Sequence, residues 1–332
     1  MKEPNDPGLS RRALLTAAAG AAAAAVAHTA AAQTTPAARI KGPAVWLDMD
    51  QKELDDAYDQ AKYAPNRQEV LKRWATNSDA VRARLGVPKR LAYGPGQAEG
   101  LDLFSAGRSN APIQVFIPGG AWRGRFTTDS AFPAEMFRHA GAHYLVADYS
   151  TVIETKGDLM PMADQVRRAI AWVYNNAASF GGDANSLYLS GHSSGAHLAG
   201  VALTTDWPKD FGVPKDIVKG ALCCSGLYDL KPVRLSARSN YVTFTDAVEE
   251  ALSSQRRLDR LNTPLVLAYG ALETPEFQRQ TREFASAVKA AGKPVELLVG
   301  ENYNHFEMPE TLANPYGLLG RAILAQMKLG SS

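Results

Sequence analysis

Eight short apolar runs, separated in the later chain by helical patterns, constrain this sequence more than any other feature. They read "RLAYG", "LDLFSA", "PIQVFIPGG", "HYLVADYS", "LYLSG", "GALCCSG", "PLVLAYG" and "PVELLVG", all beyond Gly86 and mostly ended by Gly, Pro or Asp. Helical spacing fills residues 131–140, 162–178, 196–204, 276–291 and 312–327. Near-continuous apolar strands alternating with helices predict an α/β fold: a mostly parallel central sheet of about eight strands with helices on both faces. The first two or three runs have no helix between them, so they are predicted to form an antiparallel edge. A chain of 332 residues with 45% hydrophobic content can bury a full core, which favours a single domain over residues 45–330. Its N-terminal part, 48–86, combines helical spacing with many charges and reads as a helical cap segment packed over the rest.

The first 32 residues are different material. A paired arginine, Arg11-Arg12, precedes an Ala-rich apolar stretch that ends at Ala30-Ala31-Ala32. This pattern reads as a twin-arginine export signal followed by a disordered leader over 33–44, which implies a periplasmic or secreted protein. The apolar stretch is short for a membrane span, and no other segment approaches one. Lys plus Arg number 36 against 34 acidic residues, a net charge of +2. That field is too weak to argue for nucleic acid or an anionic membrane as partner. The two cysteines, Cys223 and Cys224, are adjacent on a candidate strand and so point to opposite faces, as small core residues rather than a disulfide.

Gly191-His192-Ser193-Ser194-Gly195 fits G-x-S-x-G, and it stands between the strand "SLYLS" and the helix "AHLAGVALTT". A serine on such a strand-to-helix turn has strained backbone angles and needs very small residues two before and two after. Of the three local serines only Ser193 has glycine at both positions. Its hydroxyl would stand at a helix N-terminus, where amides favour developing negative charge.

Upstream, "VFIPGGAWRGRF" puts Gly119 and Gly120 at the end of an apolar strand. A glycine-rich turn there can supply amide donors to a carbonyl oxygen; the candidates are the amides of Gly120 and Ala121, with that of Ser194. For the base, position removes most of the six histidines. His28 falls in the signal, His139 and His143 precede the serine, His192 is inside the turn, and His197 lies along the helix beneath it. His305, in the loop "GENYNHFEMPE" after the last strand, is the candidate. The acid should come from the loop after "PLVLAYG", where Glu273 is the first choice and Glu276, at a helix start, the second; Asp229 and Asp246 are structural alternatives. Trp122, Phe126, Tyr228, Tyr303 and Phe306, with Gly119, are placed as candidates for the substrate pocket.

The stretches "LDDAYDQAKYAPN", "AYGPGQAEGLDLF", "PGGAW", "FGGDANSLYLSGHSSGAHLAG", "SGLYDLKPVRLS" and "ETPEFQRQ" resemble the arylformamidase (kynurenine formamidase)-like and carboxylesterase branch of the α/β-hydrolase superfamily. The resemblance implies Ser193 as nucleophile, Glu273 as acid and His305 as base. It departs from the family's usual His-Gly-Gly at the oxyanion turn, where Pro118 replaces the histidine. The expected activity is serine hydrolysis of a small-molecule carboxylic ester or activated aryl amide through an acyl-enzyme, with no cofactor and no metal. A true formamidase is the alternative. A non-catalytic binding protein on the same fold is a distant rival, because it predicts a missing triad member and none is missing. The oligomeric state is left open.

Overall fold

The computed structural model describes residues 39–330; the expected export signal and the leader up to residue 38 lie outside the described residues. Regular structure starts with a short antiparallel pair, Ala44–Trp46 with Met49–Asp50. Asp50 then caps α1 (Gln51–Ala57), accepting from the Glu53 amide while the Glu53 side chain accepts from the Asp50 amide. Both exposed donors of the first turn are thus satisfied reciprocally. A 3-10 turn, Gln60–Tyr63, and the long α2 (Arg67–Leu85) complete the helical N-terminal segment.

All eight apolar runs are strands: β1 (Lys89–Ala92), β2 (Gly100–Phe104), β3 (Ala111–Ile117), β4 (His143–Ala147), β5 (Gly182–His192), β6 (Val218–Cys224), β7 (Leu265–Gly270) and β8 (Val295–Gly300). They form one sheet in the order β8-β7-β6-β5-β3-β4-β2-β1. Pairing is parallel from β8 through to β4 and antiparallel at β4–β2 and β2–β1, so the antiparallel edge falls where no helix separates the runs.

Side chains alternate across each strand and supply two cores. Ile113, Val115 and Ile117 of β3 join one with residues of α4 (Met160–Asn176), α5 (Ser194–Leu203) and α6 (Pro275–Ala290). Phe116 of β3 with Tyr144 and Val146 of β4 joins the other, under α3 (Ala134–His139) and α7 (Leu318–Gln326). The helix expected over 312–327 is shorter than its apolar pattern. A 3-10 turn over Met308–Ala313 precedes it, and α7 begins only after the Pro315-Tyr316-Gly317 interruption, because proline and glycine stop helix continuation.

Two consequences of this topology position the site. The strands from β8 through to β4 run parallel, so the C-terminal ends of β3, β4, β5, β6, β7 and β8 share one edge, where the loops that follow them gather. The N-terminal segment folds over the same edge. Among the described residues no helix is long and apolar enough to cross a membrane.

Candidate active site

Ser193 connects the end of β5 to the start of α5 with φ 58° and ψ −126°, a conformation that costs a non-glycine residue strain. The surroundings hold it there: its amide donates to the Cys224 carbonyl at 2.9 Å and its carbonyl accepts from the His197 amide at 3.0 Å. The flanking glycines are forced by backbone contact. A methyl group on Gly195 would stand 2.1 Å from the Ile117 carbonyl oxygen, and one on Gly191 would stand 2.6 Å from the Gly195 oxygen. The other two serines of the turn have different partners. Ser190 accepts from the Gln114 side chain at 2.6 Å inside the sheet, and Ser194 Oγ accepts from the Trp122 amide at 3.1 Å.

Three loops converge on Ser193. His305 Nε2 lies 2.9 Å from Ser193 Oγ, and His305 Nδ1 lies 2.8 Å from Glu273 Oε2. A carboxylate can only accept, so Nδ1 carries the proton and Nε2 presents a lone pair to the serine hydroxyl. All three residues are buried. Glu273 Oε1 accepts from Ser225 Oγ at 2.5 Å and from the Gly270 amide at 2.7 Å, while Gln60 Nε2 donates to Oε2 at 3.1 Å. Ser225 reaches the carboxylate because its backbone, at φ 55°, turns sharply after β6.

The glycine-rich turn after β3 abuts Ser193: a methyl group on Gly119 would stand 2.9 Å from Ser193 Cβ. Gly120, Ala121 and Trp122 all have positive φ, at 125°, 53° and 62°. The amides of Gly120, Ala121 and Ser194 donate to no group among the described residues. Unpaired N–H groups beside a nucleophile are available to an incoming oxygen. Tyr149 donates its hydroxyl to the Pro118 carbonyl, which anchors the turn at the position where the family's histidine is replaced.

The other candidate carboxylates and the two histidines beside the serine have structural partners. Glu276 takes two hydrogen bonds from Arg279, at 2.6 and 2.7 Å, and one from Tyr58. Asp229 caps a short helix, Leu230–Leu235, and binds Arg256. Asp246 pairs with Arg234 at the surface. His192 donates from Nε2 to the His305 carbonyl at 2.9 Å, and burial, followed by the neighbouring His305, holds its pKa well below the imidazole range. It stays neutral and braces the base loop.

His197 accepts from the Trp122 indole at 3.1 Å and donates to the Leu252 carbonyl at 3.0 Å. Burial lowers its pKa from 6.5 to about 4. Between those values the unfolded chain binds more protons than the folded one, so stability is present above pH 6.5 and is lost as pH falls toward 4. The full loss is on the order of 3 kcal/mol. His197→Gln keeps an acceptor and a donor but does not titrate. The stability gap between wild type and this variant, from urea midpoints, should therefore narrow from pH 7 to pH 4.5, and a constant gap would contradict the assignment.

A cavity of about 600 Å³ opens onto Ser193 and His305. Phe126 and Phe306 line it, together with Gly119, Gly120 and Ala121. Trp122, Tyr228 and Tyr303 do not line it, contrary to expectation. Trp122 is directed into the core by its bond to His197, and Tyr228 stacks on Phe284 at 4.2 Å. Tyr303 is 38% exposed and meets the acid loop only through its carbonyl, which accepts from the Leu272 amide. Their place is taken by Trp74 of α2 and by Tyr58, Gln60, Arg67 and Arg238. No local spacing marks these residues, since each comes from a segment remote from the serine turn. Among the described residues no group of three or more His, Cys, Asp or Glu is placed to hold a metal ion.

The BD-FAE family matches residues 101–218. A kynurenine formamidase of Danio rerio is 31% identical over 296 residues, covering 84% of this chain and 97% of that protein. Esterase LipQ of Mycobacterium tuberculosis is 28% identical over 61% of this chain and 52% of its own length. Among solved structures, a putative thioesterase from Silicibacter superposes with a TM-score of 0.71 at 22% identity, covering 83% of this chain and 99% of that one. An esterase of Pyrobaculum calidifontis gives 0.64 at 16% identity, covering 84% of this chain and 98% of its own. Both share the α/β-hydrolase architecture described above.

Proposed function

The chain belongs to the kynurenine formamidase family of α/β-hydrolases, and from that premise we propose that it cleaves carboxylic esters or activated aryl amides through an acyl-enzyme on Ser193. It is a hydrolase; the residues that carry the reaction are the proposal. The observation behind it is the unbroken relay of 2.9 and 2.8 Å from Ser193 through His305 to Glu273.

In this reading Ser193 Oγ attacks the substrate carbonyl while His305 Nε2 takes its proton. The Glu273 carboxylate, bonded to Nδ1, stabilises the imidazolium. The amides of Gly120, Ala121 and Ser194 receive the oxyanion. His305 returns the proton to the leaving alcohol or amine. A water, deprotonated in turn by His305, then attacks the acyl carbonyl. As the bond to Ser193 Oγ breaks, His305 gives that proton back to Oγ and the acid is released. A cavity of about 600 Å³ with aromatic walls fits an aryl substrate of modest size.

A dedicated aryl formamidase is the second reading, favoured by the near full-length match to a kynurenine formamidase. Comparing kcat/KM for aryl esters of increasing acyl length with that for an N-formyl arylamine separates the two. Comparable values are expected for the broad ester and amide hydrolase. A preference for the formamide of a hundredfold or more would replace that reading with the formamidase, and turnover of neither would overturn both. Export through the twin-arginine route, argued from residues 1–32, belongs to the same proposal. Protein recovered from outside the cytoplasm is then expected to begin near Gln33, and exclusive recovery from the cytoplasm with those residues intact would refute it.

A further inference from the structure

We propose that Gln60 is a positioning residue for the catalytic acid: it holds the Glu273 carboxylate in the in-line geometry that His305 requires. The proposal rests on the assignment of Ser193, His305 and Glu273 made above.

Gln60 is buried and lies 213 residues from Glu273 in the chain, yet its side chain spans the acid loop with two hydrogen bonds. Its Oε1 accepts from the Thr274 amide at 3.2 Å and its Nε2 donates to Glu273 Oε2 at 3.1 Å. An amide N–H of the backbone can only donate, so the Thr274 contact fixes which end of the Gln60 carboxamide faces the carboxylate. The oxygen that Gln60 holds is the one that receives His305 Nδ1. Gln60 therefore acts on the acid–base bond directly, whereas Ser225 and Gly270 hold the other oxygen. A donor to the charged form of a buried carboxylate favours that form, which the imidazolium needs opposite it.

The segment around Gln60 grips both loops of the relay. On the acid side, Tyr58 donates to Glu276 at 2.9 Å and accepts from Gln280 at 2.8 Å. On the base side, Asn66 donates to Glu307 at 2.6 Å and accepts at 2.8 Å from Asn304, the residue before His305. Residues 58–66 thus connect the acid and base loops to each other. The titratable and charged groups around Gln60 and Glu273 come from several elements, among them Asp59, Lys62 and Arg67, which line the cavity with Gln60. His305 comes from the base loop, Cys224 from β6 with its thiol pushed up by burial, and Glu276 with its partner Arg279 from α6. Tyr58 is on the segment itself, and Tyr228 and Arg238 follow β6.

Two substitutions test this. Gln60→Met keeps the volume but removes the donor, and kcat is expected to fall roughly ten- to hundredfold at every pH with KM within about twofold. Gln60→Glu keeps an oxygen for Thr274 and can donate to Glu273 only when protonated. Burial and the adjacent carboxylate raise that proton's pKa. This variant is expected to approach wild-type kcat on the acid side and to lose activity as the introduced carboxyl ionises, adding a descending alkaline limb that wild type lacks.

Wild type and Ser193→Ala are assayed first on the same aryl ester and formamide. If wild type is inactive, or Ser193→Ala is fully active, the parent assignment fails and the Gln60 variants are not what failed it. With that control passed, unchanged kcat in both variants overturns the proposal. Equal losses without a new limb in Gln60→Glu also overturn it, since a purely structural role moves thermal stability but not the pH profile. Should Gln60→Met not fold, the profile of Gln60→Glu carries the test by itself.

Discussion

Ser193→Ala is expected to lower kcat by about 10⁶-fold, since loss of the nucleophile removes the covalent route and leaves only binding and oxyanion stabilisation. The fold should survive the change. Alanine keeps Cβ, and the strained φ of 58° is set by backbone bonds to Cys224 and His197 that do not involve the hydroxyl. Among the described residues the one hydrogen bond of the hydroxyl is to His305, so stability should move by about 1 kcal/mol or less. Neighbouring serines cannot substitute. Ser194 Oγ is held by the Trp122 amide, Ser190 lies within the sheet, and Ser225 is committed to Glu273. Turnover of an aryl ester, with mass spectrometry after an organophosphonate probe, checks both halves. An adduct on any other residue, or activity within tenfold of wild type, would remove Ser193 from the mechanism.

The serine turn was legible in sequence because it imposes a local demand that composition must meet: glycine at 191 and 195, where any side chain meets backbone oxygens within 3 Å. The same holds for the strands, whose buried central members tolerate few polar residues and so stand out as apolar runs. His305 and Glu273 were singled out by loop order along the sheet, and that same topology sets them in hydrogen-bond line with Ser193. What remained hidden depends on side-chain direction. Trp122 follows the oxyanion turn and looks like a pocket wall, but its positive φ and its bond to His197 send the ring into the core. Tyr228 is likewise claimed by stacking on Phe284. Conversely, Gln60 and Trp74 sit on N-terminal elements whose charge content reads as a solvated surface. They reach the site only because that segment folds back over the strand ends, a placement fixed by long-range bonds such as Asn66 to Glu307.

Glu273→Gln should be nearly as damaging as loss of the serine, about 10⁴-fold in kcat, by reversing the His305 tautomer. The hydrogen bonds around residue 273 determine which way the new carboxamide turns. The Oε1 site faces the Gly270 amide at 2.7 Å, a donor that cannot become an acceptor, so the NH₂ is excluded there and the oxygen must occupy it. The NH₂ is left in the Oε2 site, opposite His305 Nδ1 and the Gln60 carboxamide nitrogen. Gln60 cannot flip to accept, because its own oxygen is held by the Thr274 amide. Only His305 can adapt: Nδ1 becomes the acceptor and its proton moves to Nε2. That nitrogen, 2.9 Å from Ser193 Oγ, then donates to the hydroxyl instead of taking its proton, and the nucleophile has no base. The substitution is isosteric, so KM should change by less than about threefold, and organophosphonate labelling of Ser193 should slow in parallel with turnover. Retention of activity within tenfold would mean that another carboxylate orients His305. Glu276, the nearest alternative in sequence, is already committed to Arg279 and Tyr58.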